Sequence, residues 1–202
     1  MRRVIVNEFM TLDGVVQGPS SPQEDSTGGF AQGGWHARHA ADETFRRWVV
    51  GNLDRAGGFL FGRRTYEIFA AHWPNAGPEQ QALAEPLNTR PKYVASTTLT
   101  APLAWQNSTL LGADVAGAVA ALKREEGGDL LVIGSTELVR ALLEHSLVDE
   151  LRLMIDPVLV GGGKRLFPDD GALRTLRLTN STVTTTGAII TTYVPLPLEE
   201  QA

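Results

Sequence analysis

Twice in this chain a run of purely apolar residues ends on a glycine and passes at once into residues spaced for a helix. Phe59-Leu60-Phe61 meets Gly62 and then Arg63-Arg64-Thr65-Tyr66, while Leu130-Leu131-Val132-Ile133 meets Gly134 and then Ser135-Thr136. An unbroken apolar run of this length is the pattern of a strand covered on both faces, and such strands belong to parallel sheets flanked by helices. Glycine at the junction gives the backbone the freedom to change direction. A chain carrying two such junctions is expected to be an α/β protein.

The remaining segments fit that frame. Residues 4–9 form a first strand that ends in Thr11-Leu12-Asp13-Gly14, where Asp can bond its own backbone and Gly can take a positive φ. Residues 19–34 are rich in Pro, Ser, Gln, Glu, Asp, Thr and Gly and are expected to be a long mobile loop of the lid or binding type. Phe45, Trp48, Val49 and Leu53 share one helical face, which places a helix over residues 38–54. Pro74, Gly77 and Pro78 mark a loop, with a short helix near 79–83, and residues 91–95 form the next strand, running into Ser96-Thr97-Thr98. Asp114 is placed to cap a helix carrying Val115, Ala118, Val119 and Leu122, which Gly127-Gly128 stops. A helix with Leu138, Val139, Leu142 and Leu143, a strand over 150–155 and a Thr-rich hairpin turning at Thr186-Gly187 complete the chain. The expected architecture is a single domain over residues 1–202, with a mostly parallel central sheet, helices on both faces and a C-terminal antiparallel hairpin.

Composition removes several function classes. The formal net charge of −5 supplies no global field to collect nucleic acid or an anionic membrane, so any anion site must be local. With no cysteine there is no disulfide framework, no thiolate zinc ligand and no cysteine nucleophile. No stretch approaches the ~18 apolar residues of a membrane span. The apolar residues before Asn7 and Glu8 are too few for a signal-peptide core, so a cytoplasmic location is expected.

Ligands of open α/β sheets sit at the carboxyl ends of strands, where helix N-termini gather. Three ends carry suitable residues here: Gly62-Arg63-Arg64-Thr65, Ser96-Thr97-Thr98 and Gly134-Ser135-Thr136. Brought together, they would offer two helix N-termini to a pyrophosphate, with arginines and hydroxyls for a further phosphate. No metal is expected: His36 and His39, at i and i+3, have no carboxylate at a known metal spacing and read as surface side chains. Gly163-Lys164 does not complete a Walker A loop, because Val158 replaces its first glycine and Arg165 its Ser/Thr. G-x-S-x-G and G-x-G-x-x-G are both absent. Asp13, Asp42 and Glu43 are available acids, and Trp35 could wall a flat ligand or serve the core.

Five segments, in order, resemble the dihydrofolate reductase-like group that includes the C-terminal reductase domain of the riboflavin-biosynthesis deaminase-reductase. They are Thr11-Leu12-Asp13-Gly14, residues 60–67, residues 132–135, residues 147–151 and residues 157–167. The resemblance covers nearly the whole chain and implies a dihydrofolate reductase-like fold with an eight-stranded sheet, NADPH as cofactor, a small-molecule substrate and pairing as a homodimer. It assigns Arg63, Arg64 and Thr65 to phosphates, Ser96, Thr97 and Thr98 to the 2′-phosphate ribose end, Gly134, Ser135 and Thr136 to the pyrophosphate, and Val16 to the nicotinamide. Ser135 stands where dihydrofolate reductase proper has the second glycine of a pair. The region of the folate-binding carboxylate reads Trp35-His36-Ala37-Arg38-His39, so folate is not the expected substrate. The expected activity is hydride transfer to a small heterocyclic or carbonyl-bearing substrate, with Asp13 and Trp35 in its pocket and the proton from Asp13, Asp42 or solvent. A non-catalytic nucleotide-binding protein is the alternative, ahead of a hydrolase using His36 and His39.

Overall fold

The computed structural model describes residues 1–197. Eight strands form one sheet: β1 (Val4–Thr11), β2 (Gly58–Gly62), β3 (Lys92–Ala95), β4 (Ser108–Leu111), β5 (Leu130–Ile133), β6 (Glu150–Asp156), β7 (Leu176–Val183) and β8 (Ile189–Pro195), in the order β4-β3-β2-β5-β1-β6-β8-β7. Among the described residues five α-helices accompany them: α1 (Glu43–Arg55), α2 (Arg63–His72), α3 (Gln81–Thr89), α4 (Val115–Arg124) and α5 (Thr136–Glu144). The chain divides into two compact units, residues 1–5 with 48–147 and residues 6–47 with 148–202. No helix among the described residues is long and apolar enough to cross a membrane.

In the first unit β2 pairs in parallel with β3 on one side and β5 on the other, and β3 pairs in parallel with β4. The expected strands over 58–61, 91–95 and 130–133 are all present. Strand β4 was not expected: Ser-Thr-Leu-Leu carries neither alternation nor a long apolar run, and it lies at the sheet margin, where pairing with β3 alone defines it. The helix foreseen near 79–83 is a 3-10 turn over Pro78–Gln80 followed by α3.

Side-chain alternation along β2 sends Phe59 and Phe61 to one face, where their rings lie 5.9 Å apart and join a core with Leu53, Tyr66, Leu87, Val94, Trp105 and Leu131. Phe61 stacks on Trp105 at 6.1 Å, and the Trp105 backbone N–H donates to the Tyr66 hydroxyl at 3.0 Å. The Trp105 indole N–H donates to Asn88 Oδ1, and the Asn88 amide donates to the Trp73 carbonyl. One aromatic cluster thus ties α2, α3 and the segment before β4 to the centre of the sheet.

Lys92 is wholly buried beneath this cluster. Its Nζ donates to the carbonyls of Leu87 (2.9 Å), Asn88 (3.4 Å) and Arg90 (3.0 Å), and lies 4.5 Å from the Trp105 ring centroid. The carbonyls at the end of α3 lack intrahelical donors, and the ammonium supplies them. Burial lowers its pKa from 10.5 to about 8.

The second unit carries the antiparallel part of the sheet. Strand β8 pairs with β6, Leu153↔Thr191 being one register point, and with β7 through the hairpin expected at Thr186-Gly187. Helix α1 begins at Glu43, not at 38, because Asp42 caps it: Oδ1 accepts from the N–H groups of Thr44 (2.8 Å) and Phe45 (3.1 Å). Loop 19–34, expected to be mobile, is tied inside this unit. Gln17 Nε2 donates to the carbonyls of Asp25 and Thr27, Lys164 pairs with Asp25, and Pro22 packs against Gly33 and Gly34.

Lys92 gives the first unit a characteristic pH response. Between pH 8 and 10.5 the unfolded chain keeps a proton on this residue that the folded chain has lost, so stability rises with pH across that window. Urea unfolding at intervals from pH 7.5 to 10.5 is expected to show the rise, and Lys92→Met is expected to flatten it.

Candidate functional site

The three strand ends singled out in the sequence lie side by side. Strand β2 is central, with Gly62 opposite Ala95 of β3, and the β2–β5 register pairs Leu60 with Val132, two residues short of Gly62 and Gly134. All three strands are parallel, so their carboxyl ends share one edge. From that edge start α2, with Gly62 at its N-cap, and α5, with Ser135 at its N-cap. Neither helix has a side-chain cap, and the positive ends of both helix dipoles lie at this edge.

Two glycines set how closely the junctions approach. A Cβ on Gly62 would lie 2.2 Å from Ser135 Oγ and 2.4 Å from Ser135 Cβ, and a Cβ on Gly134 would lie 2.7 Å from Thr65 Oγ1. Gly134 also has a φ of 60°, a conformation that L side chains rarely adopt. Each glycine therefore makes room for a hydroxyl residue of the other junction.

Arg63 and Arg64 lie in the first turn of α2; Arg64 is exposed, and Arg63 is half-buried and paired with Glu67 at 2.9 Å. That pairing is readable as i, i+4 spacing, and it means a phosphate at Arg63 competes with a carboxylate. Ser96 Oγ accepts from the N–H groups of Thr98 (3.1 Å) and Leu99 (3.0 Å), so this hydroxyl shapes the turn after β3. Thr97 and Thr98 are exposed on that turn, whereas Thr136 is buried at the start of α5.

The candidates of the second unit have structural partners of their own. The Asp13 carboxylate accepts from Thr11 Oγ1 (2.6 Å), Gly161 N–H (2.9 Å) and Val160 N–H (3.3 Å). These bonds, the Thr11 hydroxyl first, lower its pKa. Asp42 Oδ2 accepts from Thr185 Oγ1 (2.5 Å) and Thr185 N–H (2.9 Å), and with its capping bonds this holds the pKa at about 2. Neither acid carries a proton near neutral pH, so neither is poised to donate one. Trp35 is buried and its indole N–H donates to the Gln17 carbonyl at 2.8 Å; Val16 is half-buried with its N–H on the Lys164 carbonyl.

The reading of His36 and His39 as surface residues is corrected. They are 3% and 2% exposed; His36 Nδ1 lies 2.8 Å from Asp156 Oδ2 and His39 Nδ1 2.9 Å from Thr186 Oγ1. Asp156 and Thr186 lie more than 100 residues further along the chain, so no local spacing could reveal these partners. Among the described residues no group of three or more His, Cys, Asp or Glu is arranged to hold a metal ion.

A mostly parallel sheet with a reversed end, and two helix N-termini at its carboxyl edge, defines an α/β protein of the open-sheet type. The chain belongs to the RibD C-terminal domain family, whose profile matches residues 2–190, and with it to a reductase-type family. It is 26% identical to the uncharacterized protein YyaP of Bacillus subtilis (strain 168), over 95% of this chain and 94% of that one. Among solved structures it resembles a putative riboflavin biosynthesis protein from Shewanella sp. PV-4, with a TM-score of 0.69, 21% identity and coverage of 96% and 99% of the two chains. It also resembles dihydrofolate reductase from Enterococcus faecalis in complex with NADP(H), with a TM-score of 0.59, 15% identity and coverage of 96% and 97%. The fold is dihydrofolate reductase-like, as expected.

The close approach of the two junctions predicts a compensating pair of substitutions. Gly62→Ala drives a methyl into Ser135 and is expected to destabilise the fold by about 1–3 kcal/mol, the usual effect of overpacking. Adding Ser135→Gly removes both colliding atoms and leaves Leu138 Cβ at 3.9 Å as the nearest neighbour, so the double variant is expected to recover most of the loss in a thermal melt.

Proposed function

We propose that residues 1–202 act as one NADPH-dependent reductase domain that transfers a hydride to a small heterocyclic or carbonyl-bearing substrate. The observation that carries this reading is the shared edge of β3, β2 and β5, where two helices start without side-chain caps and two glycines hold their junctions together. Donors of that kind, close to a backbone with no Cβ, fit a pyrophosphate. The family membership and the NADP(H) held by a protein of the same fold support the choice of cofactor.

In this reading Gly134, Ser135 and Thr136 take the pyrophosphate, and Gly62, Arg63, Arg64 and Thr65 bind phosphate oxygens. Ser96 shapes the turn that offers Thr97 and Thr98 to the ribose 2′-phosphate. Guanidinium forks match phosphate oxygens in a way that lysine does not. The bound cofactor supplies the hydride from C4 of its nicotinamide. The resemblance assigns Val16 to that ring and Asp13 and Trp35 to the substrate pocket. Because Asp13 and Asp42 are held ionised, the proton comes from solvent and the protein contributes mainly positioning. A homodimer and a cytoplasmic location complete the proposal.

The locked state of both carboxylates also favours a second reading, a nucleotide-binding protein without turnover. NADPH titration followed by oxidation assays over pterins, ribosylated pyrimidines and quinones separates the two, since binding without turnover of any of these selects the second. For the site itself, Arg63→Ala and Arg64→Ala are each expected to weaken NADPH binding about ten-fold or more, in keeping with the loss of a charge-assisted hydrogen bond. Unchanged affinity in both variants would remove the basis of the proposal.

A further inference from the structure

Residues 35–42 run through irregular turns between Gly34 and α1, and three side chains fasten them to distant parts of the second unit. His36 Nδ1 bonds Asp156 at the end of β6, His39 Nδ1 bonds Thr186 in the β7–β8 turn, and Asp42 accepts from the N–H and hydroxyl of Thr185 in the same turn. The His36 ring is stacked on Phe9 at 4.4 Å and meets Phe45 edge-on at 4.8 Å. Nε2 of His36, Nε2 of His39 and Oδ1 of Asp156 are all buried with no hydrogen-bond partner.

We propose that this segment is an acid-released strap, in which proton uptake at His39 undoes the histidine ties while the Asp42 tie and the cap of α1 hold.

The nest resists a proton on His39. The two imidazole rings are 6.2 Å apart, beside the buried carboxylate of Asp156, which is bonded to His36. An imidazolium at His39 would carry an Nε2–H with no acceptor in a dry site. Burial accordingly comes first among the causes that lower the His39 pKa from its ordinary 6.5, with His36 and Arg38 acting in the same sense and Asp156 and Asp42 opposing. Around the nest β1 supplies Phe9 and carries the buried Glu8 next to it in sequence, α1 supplies Phe45, and the β7–β8 turn supplies hydroxyls.

Below pH 6.5 the opened strap binds a proton on His39 that the closed strap refuses, so the closed state loses ground progressively as pH falls. Asp42 behaves in the opposite way. Its pKa of about 2, below the ordinary 3.8, keeps its contribution in full above 3.8 and loses it only as pH falls towards 2. A window therefore exists below pH 6.5 and above pH 3.8, in which the histidine ties are weakened and the aspartate tie is intact. Release there uncovers Phe9 and Phe45, against which the His36 ring now packs.

Amide hydrogen exchange on the full chain at pH 7.5 and 5.5, corrected for intrinsic rates, tests the proposal. Protection of residues 35–41 is expected to fall at the lower pH, while residues 43–55 stay unchanged. In His39→Gln, whose amide can still bond Thr186 but cannot take up a proton, the fall is expected to disappear. A pH-independent strap in the unsubstituted protein, or an equal fall in His39→Gln, would overturn the idea. Should His39→Gln fold poorly, an NMR titration of the unsubstituted protein decides the matter, because a His39 imidazole that titrates at or above 6.5 contradicts the strap.

Discussion

Parallel pairing of β3, β2 and β5 is the constraint on which the candidate site depends. A parallel pair cannot be closed by a tight turn, so each strand must leave the sheet at its carboxyl end and return through a longer connection. That requirement brings the chain's exits to one edge, and two of those exits are helix starts with no side-chain cap. The junctions then approach to within a methyl group of each other, Gly62 against Ser135 and Gly134 against Thr65. The proposed anion site thus rests on sheet geometry, on a chain of net charge −5.

The charged groups at loose backbone ends divide by what they do for the backbone. Lys92 closes the end of α3, Asp42 closes the start of α1, and Asp13 collects the N–H groups of Val160 and Gly161. In each case a charged group replaces the water that loose backbone groups would otherwise bind. Held in this way, Asp13 and Asp42 stay ionised at neutral pH, whereas Glu43 is exposed on α1. The His36–His39–Asp156 nest differs from these, because three of its polar atoms are buried without partners.

The glycine junctions, the strands and the helices carrying repeated apolar faces were legible because their signals are local: an apolar run, a 3.6-residue period, a capping Asp114. The hairpin was legible for the same reason. Strand β4 was not, since four residues at a sheet margin are recruited by their neighbour β3 and carry no period of their own. The loop over 19–34 looked mobile because its composition is polar, yet Gln17 and Lys164 tie it down. Composition describes solvation and says nothing of partners that arrive from elsewhere in the chain.

Strand ends and helix starts at Gly62–Thr65 and Gly134–Thr136 were readable from the residues alone. Tertiary structure decided which polar residues remained open for a ligand and which were already occupied. The physical reason is range. Helix periodicity, capping and turn chemistry act over three or four residues, whereas the fate of His36, His39, Asp13 and Asp42 rests on bonds to residues more than 100 positions away. Only the folded sheet brings those partners within about 3 Å of one another.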